Sequence, residues 1–285
     1  MNILFDQILH HREAAALPSL PESGGLPALI SGLSAVHRAN LAAALRARTS
    51  RPLVVICPDD TAAENFARDL SAMLGEEAVT LGMREFTFVE SEAVSRGGEH
   101  RRLAALWKLL GGASVAVTSV SGALQRTIPP QLLQKAAFTI EDGAELALED
   151  AVDALARCGY SRSDQVEGPG QFAVRGGILD FFSPGGREPV RVEFWGDTVD
   201  SMGSFDTADQ RRTERLSRCV ILPAAETVPA LYAGGAAALA RELEKWAARY
   251  ERRRTSESAQ KIARTVRADA EKLAGGISQI GRAHV

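Results

Sequence analysis

Apolar residues recur along this chain in two alternating rhythms. Short apolar runs at 26–31, 53–57 and 114–118 are separated by segments over 37–47, 61–74 and 96–110 in which apolar positions return every three or four residues. Runs of four to eight apolar residues bounded by turn residues are the signal of strands, and the three-to-four spacing is that of amphipathic helices. Strands separated by helix-length segments predict a parallel sheet covered on both faces. Thr61-Ala62-Ala63-Glu64 follows the second apolar run with the spacing of a capping box, which predicts a helix start there. Asp59 and Asp60 admit two readings. They could form a catalytic carboxylate pair at a strand end, but acidic residues opening a helix suit its dipole, and that is the stronger reading.

Past Pro129 the rhythm changes. A helical segment at 146–158 is followed by stretches of period two around glycine-containing pairs: 172–175 and 178–182 flank Gly176-Gly177, and 190–195 and 198–202 flank Gly196-Asp197. Two-residue loops of this kind suit tight turns in which glycine supplies a positive φ, so two β-hairpins in one small antiparallel sheet are predicted. Along 190–195, Val190, Val192 and Phe194 fall on one side, while Arg191, Glu193 and Trp195 fall on the other. One face is therefore a core face and the other mixes charge with a large aromatic. From Gly234 the chain reads as helix, with a stripe of Leu239, Leu243, Trp246 and Tyr250, and a second helical segment carries Ile262 and Val266. Arg252-Arg253-Arg254 after the stripe reads as a solvated face in preference to a phosphate contact. At the start, Ile3, Leu4, Ile8 and Leu9 lie near helical spacing before a Pro/Ser/Gly linker at 18–27.

With 285 residues, 45% of them hydrophobic and 24% charged, the chain can bury a sizeable core in one or two domains. No run approaches the roughly 18 apolar residues of a membrane span, and the acids and histidines of the first fifteen residues do not suit a signal peptide, so a cytoplasmic protein without membrane contact is expected. Cys57, Cys158 and Cys219 lie far apart, which points to buried small hydrophobes rather than to a disulfide framework or a zinc site. A net charge of −3 argues against nucleic-acid binding by electrostatic bulk and leaves a local basic patch open. The five histidines, His10, His11, His37, His100 and His284, have no nearby Cys or Asp in metal or triad spacing. No catalytic residue and no metal site is expected.

A P-loop needs a glycine-rich turn after a strand, a lysine on the phosphates and a Ser/Thr on magnesium. The first apolar run leads into Ser31-Gly32-Leu33-Ser34-Ala35-Val36-His37-Arg38-Ala39. With Gly32 as the first glycine, His37 takes the second glycine's place, Arg38 the lysine's and Ala39 the Ser/Thr's. Alanine cannot ligate magnesium, and the His37 Cβ obstructs a phosphate. The expectation is a nucleotide-binding fold without nucleotide chemistry; an unrelated strand-to-helix turn is the alternative.

The most informative stretches are GQFAVRGGILDFFSPG (170–185), PVRVEFWGD (189–197), SFD (204–206) and DQRR (209–212). They resemble the region shared by the excision-repair helicase UvrB and the N-terminal domains of the transcription-repair-coupling factor family, Mfd, and the resemblance extends at falling specificity from about residue 26 to 229. The degenerate Gly32–Ala39 loop and Gln210-Arg211 after Phe205-Asp206 favour the coupling factors over UvrB. The fold this implies is α/β: a degenerate P-loop, helicase-like parallel-sheet domain with an inserted small α+β domain containing β-hairpins. Its expected layout is an N-terminal segment and linker (1–25), the helicase-like domain (26–127), a UvrA-binding domain (128–222) and the truncated start of a further helical or α/β domain (223–279). Residues 280–285 resemble a translated sequencing adapter and are expected to be a non-native tail.

The resemblance also implies partners and site residues. The second domain would bind the damage-sensing ATPase UvrA through Arg175, Arg191 and Trp195, the last usually phenylalanine in the family. Arginine and tryptophan are types enriched at interface hot spots. The bland alternatives are a tryptophan packed under arginine stems and arginines on a solvated strand face. RNA polymerase and duplex DNA would be engaged by C-terminal domains outside this chain, which would also carry ATP and Mg; this portion would hold no cofactor, would not be an enzyme, and would contact the C-terminal domain intramolecularly. Two rivals remain: a UvrB-type helicase, and a stand-alone DNA-binding protein using Arg211, Arg212, Arg215 and Arg218.

Overall fold

The computed structural model describes residues 28–84, 96–253 and 256–275, with His10 and Leu17. The amphipathic start, the 18–27 linker, Arg254 and the 280–285 tail fall outside the described residues or almost wholly so. The chain separates into two compact units, Met1–Arg84 with Ala105–Gln125, and Glu85–Ala104 with Arg126–Val285.

The first unit is built on helix α1 (Ala35–Thr49), strand β1 (Leu53–Cys57), helix α2 (Asp60–Leu74), strand β2 (Val79–Leu81), the end of helix α3 (Gly97–Leu110), strand β3 (Val115–Ser119) and helix α4 (Val120–Leu124). The sheet is parallel, in the order β1-β3-β2. Its core sets Val115 and Val117 against Ala43, Ala44, Ala63, Ala67 and Leu70. The small alanine side chains let the helix backbones approach the sheet closely.

Three expectations are corrected here. Residues 28–31 are not a strand, and Leu29 is 95% exposed: an apolar run becomes a strand only where a neighbour takes up its backbone hydrogen bonds, and among the described residues none pairs with these. Among the described residues the cover expected on both faces of the sheet is incomplete at β1, where Val54 and Ile56 are exposed. Helix α2 is capped by Asp59 rather than by Thr61: extended backbone at Asp59 lets its Oδ1 accept from Ala62 N at 2.8 Å, so Thr61 is already helical. Asp60 accepts from Met83 N at 2.9 Å. Both carboxylates thus serve backbone amides, as the helix-start reading expects.

The second unit contains α5 (Pro130–Ala136), β4 (Phe138–Glu141), α6 (Leu148–Arg157), β5 (Ser161–Arg162), β6 (Gln171–Arg175), β7 (Ile178–Phe181), β8 (Val190–Trp195), β9 (Thr198–Phe205), β10 (Arg212–Arg215), β11 (Arg218–Ile221), α7 (Gly235–Arg253) and α8 (Glu257–Ala274). Six strands form one sheet, β10-β9-β8-β7-β6-β5, antiparallel except between β5 and β6. Both expected hairpins are present, turning with positive φ at Gly176 and Gly196. One face of this sheet buries Phe172, Leu179, Phe181, Val190, Val192, Val199 and Met202 against Ala151 and Leu155 of α6 and against Ile140 and Ile221 from the separate β4–β11 pair.

The first turns of α3 are tied to the 224–226 segment. His100 Nε2 lies 3.0 Å from the Ala224 carbonyl, Glu99 Oε1 accepts from Glu226 N at 2.8 Å, and buried Arg102 and Glu226 form an ion pair at 2.7 Å. Helices α7 and α8 make a hairpin with Leu239, Leu243 and Ala247 packed on Ala263, Val266, Ala270 and Leu273. Trp246 and Tyr250 of the expected stripe lie beside that seam, stacked with centroids 4.8 Å apart. Among the described residues no helix is long and apolar enough to cross a membrane.

Candidate protein-docking face

The side of the six-stranded sheet opposite its core carries the residues singled out by sequence. Alternation places Val190, Val192 and Phe194 with the core and Arg191, Glu193 and Trp195 on the other side, as period two requires. Across the strands, register aligns Arg175 with Ile178, Ile178 with Glu193, and Glu193 with Ser201, which forms one row across β6, β7, β8 and β9. Ser201 donates to Glu193 Oε2 at 2.8 Å and Arg212 Nη2 donates to Glu193 Oε1 at 2.9 Å, so β10 extends the row. Both hairpin tips lie at the same end of the sheet, with Phe194 N donating to the Gly177 carbonyl at 2.8 Å. A Cβ at Gly177 would stand 3.0 Å from the Phe194 carbonyl oxygen, closer than an ordinary van der Waals contact, so glycine fits this approach without displacing the neighbouring strand.

The three candidate residues have different surroundings. Trp195 is 83% exposed, so it is not packed under arginine stems. Arg175 is exposed and donates from Nη2 to the Asp164 carbonyl at 2.8 Å. Arg191 stands one row deeper and is half-buried: its Nε and Nη2 donate to Asp180 Oδ1 and Oδ2 at 2.7 and 2.8 Å, and its guanidinium lies 4.6 Å over the Phe205 ring. Asp180 is buried, and its hydrogen bond holds the Arg191 pKa above the ordinary arginine value. Trp195 and Arg175 are therefore open to a partner, while the Arg191 guanidinium is largely consumed inside the fold.

The UvrB interaction domain family matches residues 138–226, which contain all of this face. The chain is 31% identical to the transcription-repair-coupling factor of Bacillus subtilis over 202 residues, 70% of this chain and 17% of that protein. It is 36% identical to the Mycobacterium tuberculosis factor over 202 residues, 67% of this chain and 16% of that one. The chain belongs to the transcription-repair-coupling factor family. It spans only about 17% of the length of the coupling factors it matches. The UvrABC system protein B of Thermosipho africanus is a more distant match, 25% identical over 195 residues, 64% of this chain and 30% of that protein.

The residues at the expected P-loop positions, Gly32, His37, Arg38 and Ala39, sit at the start of α1. Gly32 has φ +77°, Ser34 caps the helix by accepting from His37 N at 3.4 Å, and its Oγ lies 3.0 Å from His37 Nδ1. Arg38 is exposed, and Ala39 is fully buried against the core side of the helix. The four arginines of the DNA-binding rival each have a carboxylate partner: Arg211 with Asp209 (3.8 Å), Arg212 with Glu193 (2.9 Å), Arg215 with Asp142 (3.2 Å) and Arg218 with Glu141 (3.5 Å). Exposed pairs like these add little stability, but they offset the positive field a phosphate backbone would need. Among the described residues no group of three His, Cys, Asp or Glu side chains could hold a metal ion. Burial raises the thiols of Cys158 and Cys219 to about 11, so neither is a ready nucleophile.

Ile178, Glu193, Ser201 and Arg212 belong to the face and were not among the docking residues expected from sequence, where Arg212 stood only with the DNA-binding rival. The alternation already put Glu193 beside Arg191 and Trp195. Ile178, Ser201 and Arg212 could be added only once the register was known.

Proposed function

We propose that this chain is the UvrA-recruiting part of a transcription-repair-coupling factor, and that residues 128–222 carry the docking face. The observation that carries this reading is Trp195, a large aromatic 83% exposed at the same end of the sheet as exposed Arg175. A large exposed aromatic on a face that also carries an exposed arginine has the composition of an interface anchor. In this reading residues 26–127 are a helicase-like domain whose loop at Gly32, His37, Arg38 and Ala39 has lost phosphate and magnesium binding. The chain itself then hydrolyses no ATP and needs no cofactor. Recognition of RNA polymerase stalled at a DNA lesion, ATP-driven release of that polymerase and duplex-DNA binding would belong to other parts of the whole cytoplasmic protein. One of those parts, the C-terminal domain, would mask the docking face by intramolecular contact.

The test is titration of this chain with purified UvrA beside Arg175→Ala/Trp195→Ala, with folding of both checked by circular dichroism. Micromolar or tighter binding that the double variant loses supports the reading. Absence of binding by the folded wild type overturns it.

A further inference from the structure

We infer that Arg191 acts on docking as a positioning residue: it clamps the 206–211 loop onto the sheet, and that loop is part of the docking face. This rests on the recruitment reading above.

The argument starts from hydrogen-bond capacity. A guanidinium has five N–H donors and no acceptor. Arg191 commits Nε and one Nη2 hydrogen to Asp180, the other Nη2 hydrogen to Gln210 Oε1 at 3.2 Å, and one Nη1 hydrogen to the Gln210 carbonyl at 3.4 Å. Four of its five donors are therefore used, and its flat side is taken by Phe205. Direct contact could offer a partner only one donor.

Gln210 is the residue on which the loop closes. Its N–H donates to the Asp206 carbonyl at 2.9 Å, its Nε2 donates to the Thr207 carbonyl at 3.0 Å, and Asp206 N donates to the Arg211 carbonyl at 3.0 Å. Its φ is +61°, a region where a non-glycine residue is strained and persists only when its surroundings hold it. Arg191, reaching both the side chain and the carbonyl of Gln210, is part of that hold. The loop so held exposes Asp206, Asp209 and Arg211 and runs directly into Arg212, which bonds Glu193 in the row of the docking face.

The experiment measures UvrA affinity, and amide exchange over 206–211 in the free chain, for wild type, Arg191→Met, Gln210→Gly, the loop-tip variant Asp209→Ala/Arg211→Ala, and Arg191→Met in that loop-tip background. Arg191→Met strands buried Asp180 and could lose fold. Gln210→Gly keeps the Arg191–Asp180 pair, suits a positive φ and removes both side-chain bonds of Gln210. Positioning predicts faster exchange over 206–211 in both single variants, affinity weakened about tenfold by Arg191→Met and about threefold by Gln210→Gly, and a much smaller Arg191→Met effect once the loop tip is already altered. The same fold-loss for Arg191→Met in both backgrounds would overturn positioning in favour of direct contact. Wild-type affinity in a Gln210→Gly protein whose loop exchanges faster would remove the loop from the face. Failure of wild type to bind UvrA overturns the recruitment reading, and this inference with it; binding by wild type with no effect of either single variant overturns the inference alone.

Discussion

Replacing Trp195 by alanine removes a side chain that is 83% exposed at the end of β8, so the folded chain loses little by it. Surface substitutions of this kind change folding stability by about 0.5 kcal/mol or less. Docking is a different matter. An aromatic side chain can bury about 150–250 Å², so this exposure leaves on the order of 200 Å² for a partner to cover. At roughly 25 cal/mol per Å² that sets a ceiling of about 5 kcal/mol. Side-chain ordering and imperfect desolvation at the interface reduce the realised part, and a loss of about 2 kcal/mol, about 30-fold in Kd, is expected. Trp195→Phe, which keeps an aromatic ring at the position, should recover most of that loss. The assay is calorimetric titration with UvrA alongside thermal unfolding of each variant. Unchanged affinity in a normally folded Trp195→Ala protein would refute the anchor assignment, and a large fall in Tm would refute the claim that Trp195 contributes nothing to the core.

Other expectations follow from packing, burial and the side chains at Gly32–Ala39. A Cβ added at Gly203 would stand 2.5 Å from the Glu214 carbonyl oxygen, so Gly203→Ala should push β10 off β9 and cost about 2 kcal/mol in urea unfolding, with faster amide exchange over 212–215; an unchanged midpoint would show that β10 does not depend on that close approach. Burial holds the His100 imidazole pKa below its ordinary value. The unfolded chain therefore binds a proton that the folded chain resists, and stability should fall as pH drops below about 6.5. His100→Gln, whose amide can still donate to the Ala224 carbonyl, should flatten the difference between urea midpoints at pH 7.5 and 5.5, and an equal slope in both proteins would exclude His100 as its source. Millimolar ATP with magnesium should move Tm by less than about 1 °C, because a ligand stabilises a fold only by binding it; a rise of several degrees would restore a working nucleotide site.

Local signals carried much of the fold in the sequence. The β6–β7 and β8–β9 hairpins were legible because strict alternation and a glycine at the first turn position specify a tight turn without reference to the rest of the chain. Helices α2, α3 and α6 were legible from the spacing of their apolar residues, and the sides taken by Val192 and Trp195 followed from period two alone. Tertiary structure decided what depends on a partner strand or a distant side chain. Strands β10 and β11 are four residues each, too short for alternation to announce them, and exist because β9 and β4 take up their backbone hydrogen bonds. The apolar run at 28–31 shows the converse: among the described residues no strand neighbours it, and hydrophobicity alone leaves Leu29 exposed. Arg191 and Trp195 lie four positions apart on one strand face and look alike as interface residues in the sequence. Only the register that sets Arg191 opposite Asp180, and the loop that brings Gln210 onto it, turns the arginine inward to hold the fold while the tryptophan is left facing solvent.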